Sequence, residues 1–342
     1  MTTILHFGFP KTGTTYLQQV FRRSAETLQG AGVIYPAVGK DFKARPLKHL
    51  TAKRPQPQAG EELDALRSVI DADVAQNPGA HILLSVEEIA ATVMSHINAT
   101  TIGSLRDYLY RWGEEVRLIV YVRRPEDFYL SMMQEKLKRS GGLVAPENFR
   151  TDFARIIRTY EEAFNTRAIV RPFEPQQWRE GDLLVDFLDQ IRDLADVDHT
   201  ALSSEVKRSN ESLSAESMFV LDLLRRFPEN MNDVPDYSFA ASERFWRALR
   251  TISEEAGYTS KPKLFRHVAE AVAAANLYDT EELYNRYGVS FGNQSKSSDD
   301  VPPSEGVRLS EVEGLVPLNR DHALRMISVF CARENAYRVK NT

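Results

Sequence analysis

The sequence predicts an α/β fold in which a parallel sheet is flanked by helices and is followed by a mostly helical C-terminal region. Short apolar runs alternate with longer amphipathic segments in the first half of the chain. The run VRLIVYV is β-branched and almost entirely apolar, as expected of a strand buried on both faces. After about Asp182 the strand pattern stops and helical periodicity takes over. Strands separated by helices favour parallel pairing, because each helix carries the chain back across the sheet.

The individual elements follow from the same periodicities. The predicted strands are TILHFGF, GVIYP, HILLS, VRLIVYV and RAIVRPF. A helix, TTYLQQVFRRSAETLQGAG, follows the first strand and ends at glycine. The other helices predicted between strands cover residues 61–76, 102–112, 125–139 and 149–164. The C-terminal region is predicted helical in GDLLVDFLDQIRDL, SLSAESMFVLDLLRRF, SERFWRALRTISEEAG and DHALRMISVFCAREN. Residues 39–60 and 293–308 are rich in proline and polar side chains and are predicted to be irregular.

Length and composition set the broad class of protein. The 342 residues predict an α/β core over 1–205 and a mostly helical extension or lobe over 206–342, which can belong to the same domain. The 48 acidic residues outnumber the 43 basic ones, so we expect no nucleic-acid partner. The single cysteine, Cys331, allows no disulfide within the chain. We find neither a signal-peptide pattern nor an apolar run of about 18 residues, and expect a cytoplasmic protein without a membrane span.

The segment HFGFPKTGTTYLQQVF, which begins at His6, predicts a P-loop-like anion site. Gly8 and Gly13 have the spacing of a Walker A loop, but Thr14 stands where that loop has its lysine, and the lysine is Lys11. A strand, a tight turn and a helix start follow one another here, and the amide groups of a helix N-terminus attract anions. The candidate binding residues are Pro10, Lys11, Thr12, Gly13, Thr14 and Thr15.

The ends of the other strands argue against a magnesium-dependent nucleotide site. A P-loop nucleotidase needs an Asp at the end of a second strand to help hold Mg²⁺. HILLS is followed by Val86 and Glu87, and VRLIVYV by Arg123 and Arg124. Since arginine stands where the metal ligand would be, we expect phosphate chemistry without a metal.

Two motifs resemble those of the sulfotransferases that use 3′-phosphoadenosine 5′-phosphosulfate (PAPS). PKTGTTYL resembles the family's 5′-phosphosulfate loop, whose usual form is P-K-[ST]-G-T-[TS]-x-L. VYVRRPEDFYLS resembles its second element, in which an R-x-P is followed by a serine six residues after the proline; here these are Arg123, Pro125 and Ser131. The resemblance covers roughly residues 1–215. It implies that Arg123 and Ser131 bind the 3′-phosphate of the donor.

The resemblance also implies the reaction, which is sulfuryl transfer from PAPS, a nucleotide sulfate donor, to an acceptor. In this reaction Lys11 would stabilise the charge that develops on the leaving phosphate. Glu87 is the preferred general base, because the S-x-E after HILLS looks like a segment of bacterial carbohydrate sulfotransferases. Glu88 and His49 stay open as alternatives. We therefore expect a carbohydrate hydroxyl as acceptor, with an anionic one suggested by a basic segment that contains Lys40, Lys43, Arg45, Lys48, Lys53 and Arg54.

Three other functions fit the same sequence. The first is a sulfotransferase whose acceptor is a small alcohol, phenol or amine. The second is a nucleotide kinase with an aberrant P-loop. The third is a non-catalytic nucleotide-binding module that has the loops but no base. Dependence on magnesium and turnover on an acceptor distinguish these alternatives.

Overall fold

The structure, a computed structural model, describes most of the 342-residue chain. It covers residues 1–36, 44–52, 57–87, 89–90, 99–139, 142–202, 212–226, 239–258, 261–292, 297–298, 308–309 and 311–341. The side chains of residues 99–101, 224–226, 239–242 and 334–341 are not described.

The described residues contain one five-stranded parallel sheet, in the order β2-β3-β1-β4-β5. The strands are β1 (Thr3–Phe7), β2 (Val33–Ile34), β3 (His81–Val86), β4 (Val116–Val122) and β5 (Ala168–Pro172). With the helices that flank this sheet and the helical C-terminal region, they confirm the predicted α/β fold class. β1 lies at the centre, and the chain extends first to one side of it and then to the other. Ligands of open α/β sheets bind at the carboxyl ends of strands where the order reverses in this way.

Helices connect the strands and recur through the C-terminal part of the described chain. Those up to residue 189 are α1 (Thr14–Arg23), α2 (Ala25–Gly30), α3 (Lys48–Thr51), α4 (Ala59–Gln76), α5 (Ala99–Leu109), α6 (Pro125–Lys138), α7 (Phe153–Phe164) and α8 (Leu183–Asp189). The later ones are α9 (Ala215–Arg226), α10 (Phe239–Glu255), α11 (Arg266–Ala275), α12 (Leu277–Tyr287), α13 (Val312–Leu315) and α14 (Arg320–Asn341).

Some elements differ from the sequence predictions. The single helix predicted after β1 is two helices, because the backbone leaves the helical conformation at Ser24 (φ −111°, ψ 22°). Part of the segment predicted to be irregular is ordered as a 3₁₀ turn, Arg45–Leu47, and α3. The sequence analysis predicted neither α11 nor α12. In α12, Leu283 is the one side chain described as buried.

The sheet has helices on both faces. On one face, Ile4 of β1 belongs to a core formed with Phe21 of α1 and Phe187 of α8. On the other face, Phe7 stacks on Tyr160 of α7 with ring centroids 4.3 Å apart. Successive residues of a strand point to opposite faces, so this strand contributes to both cores.

A buried carboxylate fixes α8 to the sheet. Asp186, 1% exposed, accepts hydrogen bonds from Tyr121 Oη (2.8 Å) and from Arg171 Nη2 (2.6 Å). The amide of Arg179 also donates to it, at 2.9 Å. A buried charge is tolerated only with such partners. Because α8 begins at Leu183, this network also fixes the position of that leucine.

His6 lies in β1 and is completely buried. Its Nδ1 is 2.8 Å from Ser85 Oγ on the neighbouring strand β3. Burial lowers the pKa of the imidazole from 6.5 to about 3, because the charged form would lose its hydration. The histidine is therefore neutral in the folded protein at pH 7.

We expect His6 to make stability depend on pH. Between pH 6.5 and 3 the unfolded chain binds a proton at His6 that the folded chain does not, so the contribution is complete above 6.5 and is lost as the pH falls. The slope is up to about 1.4 kcal/mol per pH unit. His6→Asn should remove this part of the slope in urea unfolding between pH 6 and 4. An unchanged slope would show that His6 titrates normally in the folded state.

The chain forms two compact units that interleave along the sequence, whereas the predicted division is a single boundary after residue 205. The first unit comprises Met1–Arg124, Asp152–Arg208 and Tyr278–Gly292. It contains the sheet, and in it Asp279 accepts hydrogen bonds from the amides of Phe153 (2.9 Å) and Ala154 (2.8 Å) at the start of α7. This contact attaches the late segment to the first unit.

The second unit is helical and comprises Pro125–Thr151, Ser209–Leu277 and Asn293–Thr342. Asn276, 2% exposed, accepts from the amide of Thr151 at 2.8 Å and donates to the carbonyl of Phe149 at 3.1 Å. This buried amide therefore links chain segments that are far apart in sequence. None of the described helices is both long enough and apolar enough to cross a lipid bilayer.

Candidate functional site

The loop between β1 and α1 has a constrained backbone. Lys11 (φ 65°) and Gly13 (φ 76°) both have positive φ, which is uncommon for a lysine. Thr12, fully buried, donates a hydrogen bond from Oγ1 to the carbonyl of Phe9 at 2.7 Å. Phe9 in turn packs on Phe153, with ring centroids 4.5 Å apart. The loop is therefore held by a hydrogen bond within it and by packing against α7.

The two glycines of the loop are required by packing. A Cβ on Gly8 would lie 2.1 Å from Thr14 Oγ1, and one on Gly13 would lie 2.4 Å from Leu183 Cδ2. Gly13 also has a left-handed conformation that favours glycine. Both glycines are thus needed to bring the strand end, the helix start and α8 together.

The start of α1 has the features of an anion site. Its N-cap is Gly13, which has no side chain to cap the first-turn amides, and this turn has no acidic residue. Thr14 is 2% exposed, and its Oγ1 has no hydrogen-bond partner among the described residues. Buried hydroxyl groups are normally paired, so this oxygen indicates a partner such as a bound anion or a water. Thr15 is exposed at the same end of the helix.

The second sequence motif reaches the loop through Arg123. This residue follows β4, the strand next to β1. Its Nη1 donates a hydrogen bond to the carbonyl of Lys11 at 3.3 Å, and its guanidinium carbon lies 5.9 Å from the ring centroid of Phe173. Two segments 112 residues apart are thereby brought together at the carboxyl edge of the sheet.

The neighbouring Arg124 has a different role. Its Nη2 donates to Glu174 Oε1 at 2.8 Å and also to the carbonyl of Gly292. Burial raises the pKa of the Glu174 carboxyl, but hydrogen bonds from Gly292, Gln177 and Arg124 outweigh this and hold the pKa below its ordinary value. Arg124 therefore acts in a charged cluster that attaches residues 290–292 to the end of β5.

The candidate bases have different surroundings. Glu87 follows β3 directly and is half-buried, and the preceding Val86 accepts a hydrogen bond from the amide of Gly8 at 3.1 Å. Glu87 therefore lies at the same edge of the sheet as the loop. His49 is buried, and its Nε2 is 2.9 Å from Glu62 Oε2 on α4. The hydrogen bond described for His49 is thus to a carboxylate and not to the loop. Glu88 lies outside the described residues.

The roles of the other predicted site residues stay predictions. Pro10 is half-buried in the loop. Ser131 lies half-buried on α6, in the second compact unit, and its role is what the family resemblance implies. In the basic segment Arg45 is exposed and Lys48 half-buried. The predicted basic residues that fall outside the described ranges are Lys40, Lys43, Lys53 and Arg54.

Sequence reasoning missed that Phe173 lies against the loop and that residues 290–292 lie beside Arg124 and Glu174. The strand RAIVRPF was predicted, but nothing in its pattern indicates that its last residue would face the loop. The sequence did contain a signal for the turn that begins residues 288–292. Gly288 (φ 68°) ends α12, and its amide donates to the carbonyl of Tyr284 at 2.8 Å, as a glycine after a helix commonly does.

A surface cavity of ≈220 Å³ lies near α8 and contains no residue of the loop. Its arginines already face carboxylates, with Arg179 3.8 Å from Asp189 and Arg192 3.7 Å from Asp196. We assign it no function, because the loop and Arg123 lie elsewhere.

Comparisons of the chain with models of protein families, with curated proteins and with solved structures find no match. The functional argument therefore depends on the residues and geometry of the loop.

Proposed function

We propose that the protein is a PAPS-dependent sulfotransferase. The observation that carries the proposal is the hydrogen bond from Arg123 Nη1 to the carbonyl of Lys11, because it joins the two motifs that resemble the donor site of that family. The buried hydroxyl of Thr14, which has no hydrogen-bond partner among the described residues, and the start of α1, which has no side-chain cap there, support an anionic ligand in the loop. The residues present therefore fit a donor with a phosphosulfate at one end and a second phosphate near Arg123.

The proposed roles follow from charge and position. The loop amides and Thr14 hold the 5′-phosphate, Lys11 offsets the charge that develops on it, and Arg123 orients the donor through its 3′-phosphate. The acceptor oxygen forms a bond to sulfur, and the bond from sulfur to the phosphate oxygen breaks with its electron pair left on the phosphate. The acceptor proton passes to the base, for which we propose Glu87.

We propose a carbohydrate hydroxyl as the acceptor. Support comes from the S-x-E segment that ends in Glu87 and from the basic residues around Arg45 and Lys48, which suit an anionic sugar. A screen that includes uronic-acid polymers, neutral sugars, small alcohols, phenols and amines distinguishes this acceptor from the small-molecule alternatives.

Binding and turnover without metal test the donor assignment. We expect calorimetry to show that 3′,5′-ADP binds equally well with EDTA or magnesium, and transfer of labelled sulfate to continue in EDTA. Loss of activity in EDTA that magnesium restores would favour a nucleotide kinase instead. Binding of 3′,5′-ADP without turnover on any acceptor would favour a non-catalytic module.

Arg123→Ala should weaken binding of 3′,5′-ADP about ten- to hundredfold, as expected for a charge-assisted hydrogen bond. Binding of 5′-AMP, which lacks the 3′-phosphate, should weaken much less. Arg123→Lys should recover only part of the loss, since lysine lacks the planar fork of donors. Competition binding of both nucleotides measures the difference. An equal loss for both would mean that Arg123 acts only by holding the Lys11 carbonyl.

A further inference from the structure

Phe173 contacts the loop at Gly13. It follows β5, and its amide donates to the carbonyl of Val122 at 2.7 Å, which places it beside the end of β4. The ring edge approaches Gly13 so closely that a Cβ there would lie 3.0 Å from Phe173 Cε2. The side chain is half-buried and also packs on Trp178, with ring centroids 5.0 Å apart.

The same ring lies beside the arginine that reaches the loop. The guanidinium carbon of Arg123 is 5.9 Å from the ring centroid, within the range of a cation–π interaction. Arg123 donates to the Lys11 carbonyl from this position. One aromatic side chain thus contacts Gly13, at one end of the loop, and the arginine that binds Lys11.

We propose that Phe173 is a positioning residue for nucleotide binding: its ring holds the guanidinium of Arg123 at a fixed distance from Gly13. This inference rests on the proposed function, because it assigns Phe173 to the same donor site. Arginine has several rotatable bonds, and fixing its orientation before the ligand arrives reduces the entropy lost on binding. Phe173 would then determine how well the site distinguishes nucleotides with and without a 3′-phosphate.

The chain contains a matched control beside this residue. Arg124 lies 5.9 Å from the ring centroid of Phe291, the same distance as between Arg123 and Phe173. Phe291 is half-buried, as Phe173 is. The guanidinium of Arg124, however, donates to Glu174 and Gly292 and not to the loop.

The test compares Phe173→Leu with Phe291→Leu, each alone and combined with Arg123→Ala. We expect Phe173→Leu to weaken binding of 3′,5′-ADP about three- to tenfold, in line with a cation–π contact, and to weaken binding of 5′-AMP less. Phe291→Leu should leave both affinities unchanged. In the Arg123→Ala background, Phe173→Leu should have little further effect, because two residues that act together are not additive. Thermal unfolding of every variant identifies losses of stability.

Each outcome decides the inference. A fully additive effect of Phe173→Leu in the Arg123→Ala background would show that the ring supports the fold and not the arginine. Equal losses for Phe173→Leu and Phe291→Leu, or for both nucleotides, would overturn it as well. If the wild-type protein binds no 3′,5′-ADP, the proposed function itself fails. If it binds and Phe173→Leu has no effect, only the role of Phe173 fails.

Discussion

Lys11→Ala is expected to lower kcat by about 10²–10³, as does the loss of one group that stabilises a developing charge. Binding of 3′,5′-ADP should weaken far less, because we propose that the loop amides, Thr14 and Arg123 also hold the nucleotide. Lys11 has a positive φ of 65°, and alanine is strained there in the same way as lysine. The substitution therefore removes the ammonium group without relieving the backbone.

Lys11→Gly is the matched control for that backbone conformation, because glycine adopts positive φ without strain. If the charge is what matters, single-turnover rates of the alanine and glycine variants should be equally low. A glycine variant with near-normal turnover would assign the loss in Lys11→Ala to the loop conformation. Near-normal turnover in both variants would remove Lys11 from the mechanism.

Glu87→Gln is expected to slow sulfate transfer by about 10²–10⁴, the usual contribution of a general base. Glutamine keeps the size and hydrogen-bonding ability of the side chain but cannot accept the acceptor's proton. The variant should fold normally and bind 3′,5′-ADP normally. Rates at saturating donor, together with nucleotide affinity, separate the loss of a base from the loss of a binding group.

His49→Gln is the control for this assignment. Since His49 is buried and its Nε2 faces Glu62, we expect this variant to lose stability but to retain most of its turnover once folded. An active Glu87→Gln together with an inactive but folded His49→Gln would move the base to His49. If both variants stay active, Glu88 becomes the next candidate for the base.

The sequence alone determined the strands of the sheet and the loop after β1. Apolar, β-branched runs such as Val116–Val122 favour a strand in the middle of a covered sheet, so their pattern is informative without knowledge of their neighbours. The loop is equally local, since its glycines, Lys11 and the start of α1 lie within a few residues of one another. Both could therefore be predicted from short windows of sequence.

Helices such as α12, and the division of the chain into two compact units, were harder to predict from the sequence. α12 has Leu283 as its one side chain described as buried, and its attachment depends on Asp279, which caps a helix more than a hundred residues earlier in the chain. No local rule indicates which distant amide a carboxylate will bind. The interleaving of the two compact units depends on contacts of this kind.

Only the tertiary structure decided which partners each residue of the candidate site contacts. In the sequence Arg123 and Arg124 are adjacent and chemically identical, but Arg123 donates to Lys11 while Arg124 pairs with Glu174. Likewise, the sequence shows Phe173 only as the last residue of a strand pattern, whereas in the structure it follows β5 and lies against Gly13. The physical reason is that a side chain's partners depend on which strands are neighbours and where each one ends, and local periodicity carries neither.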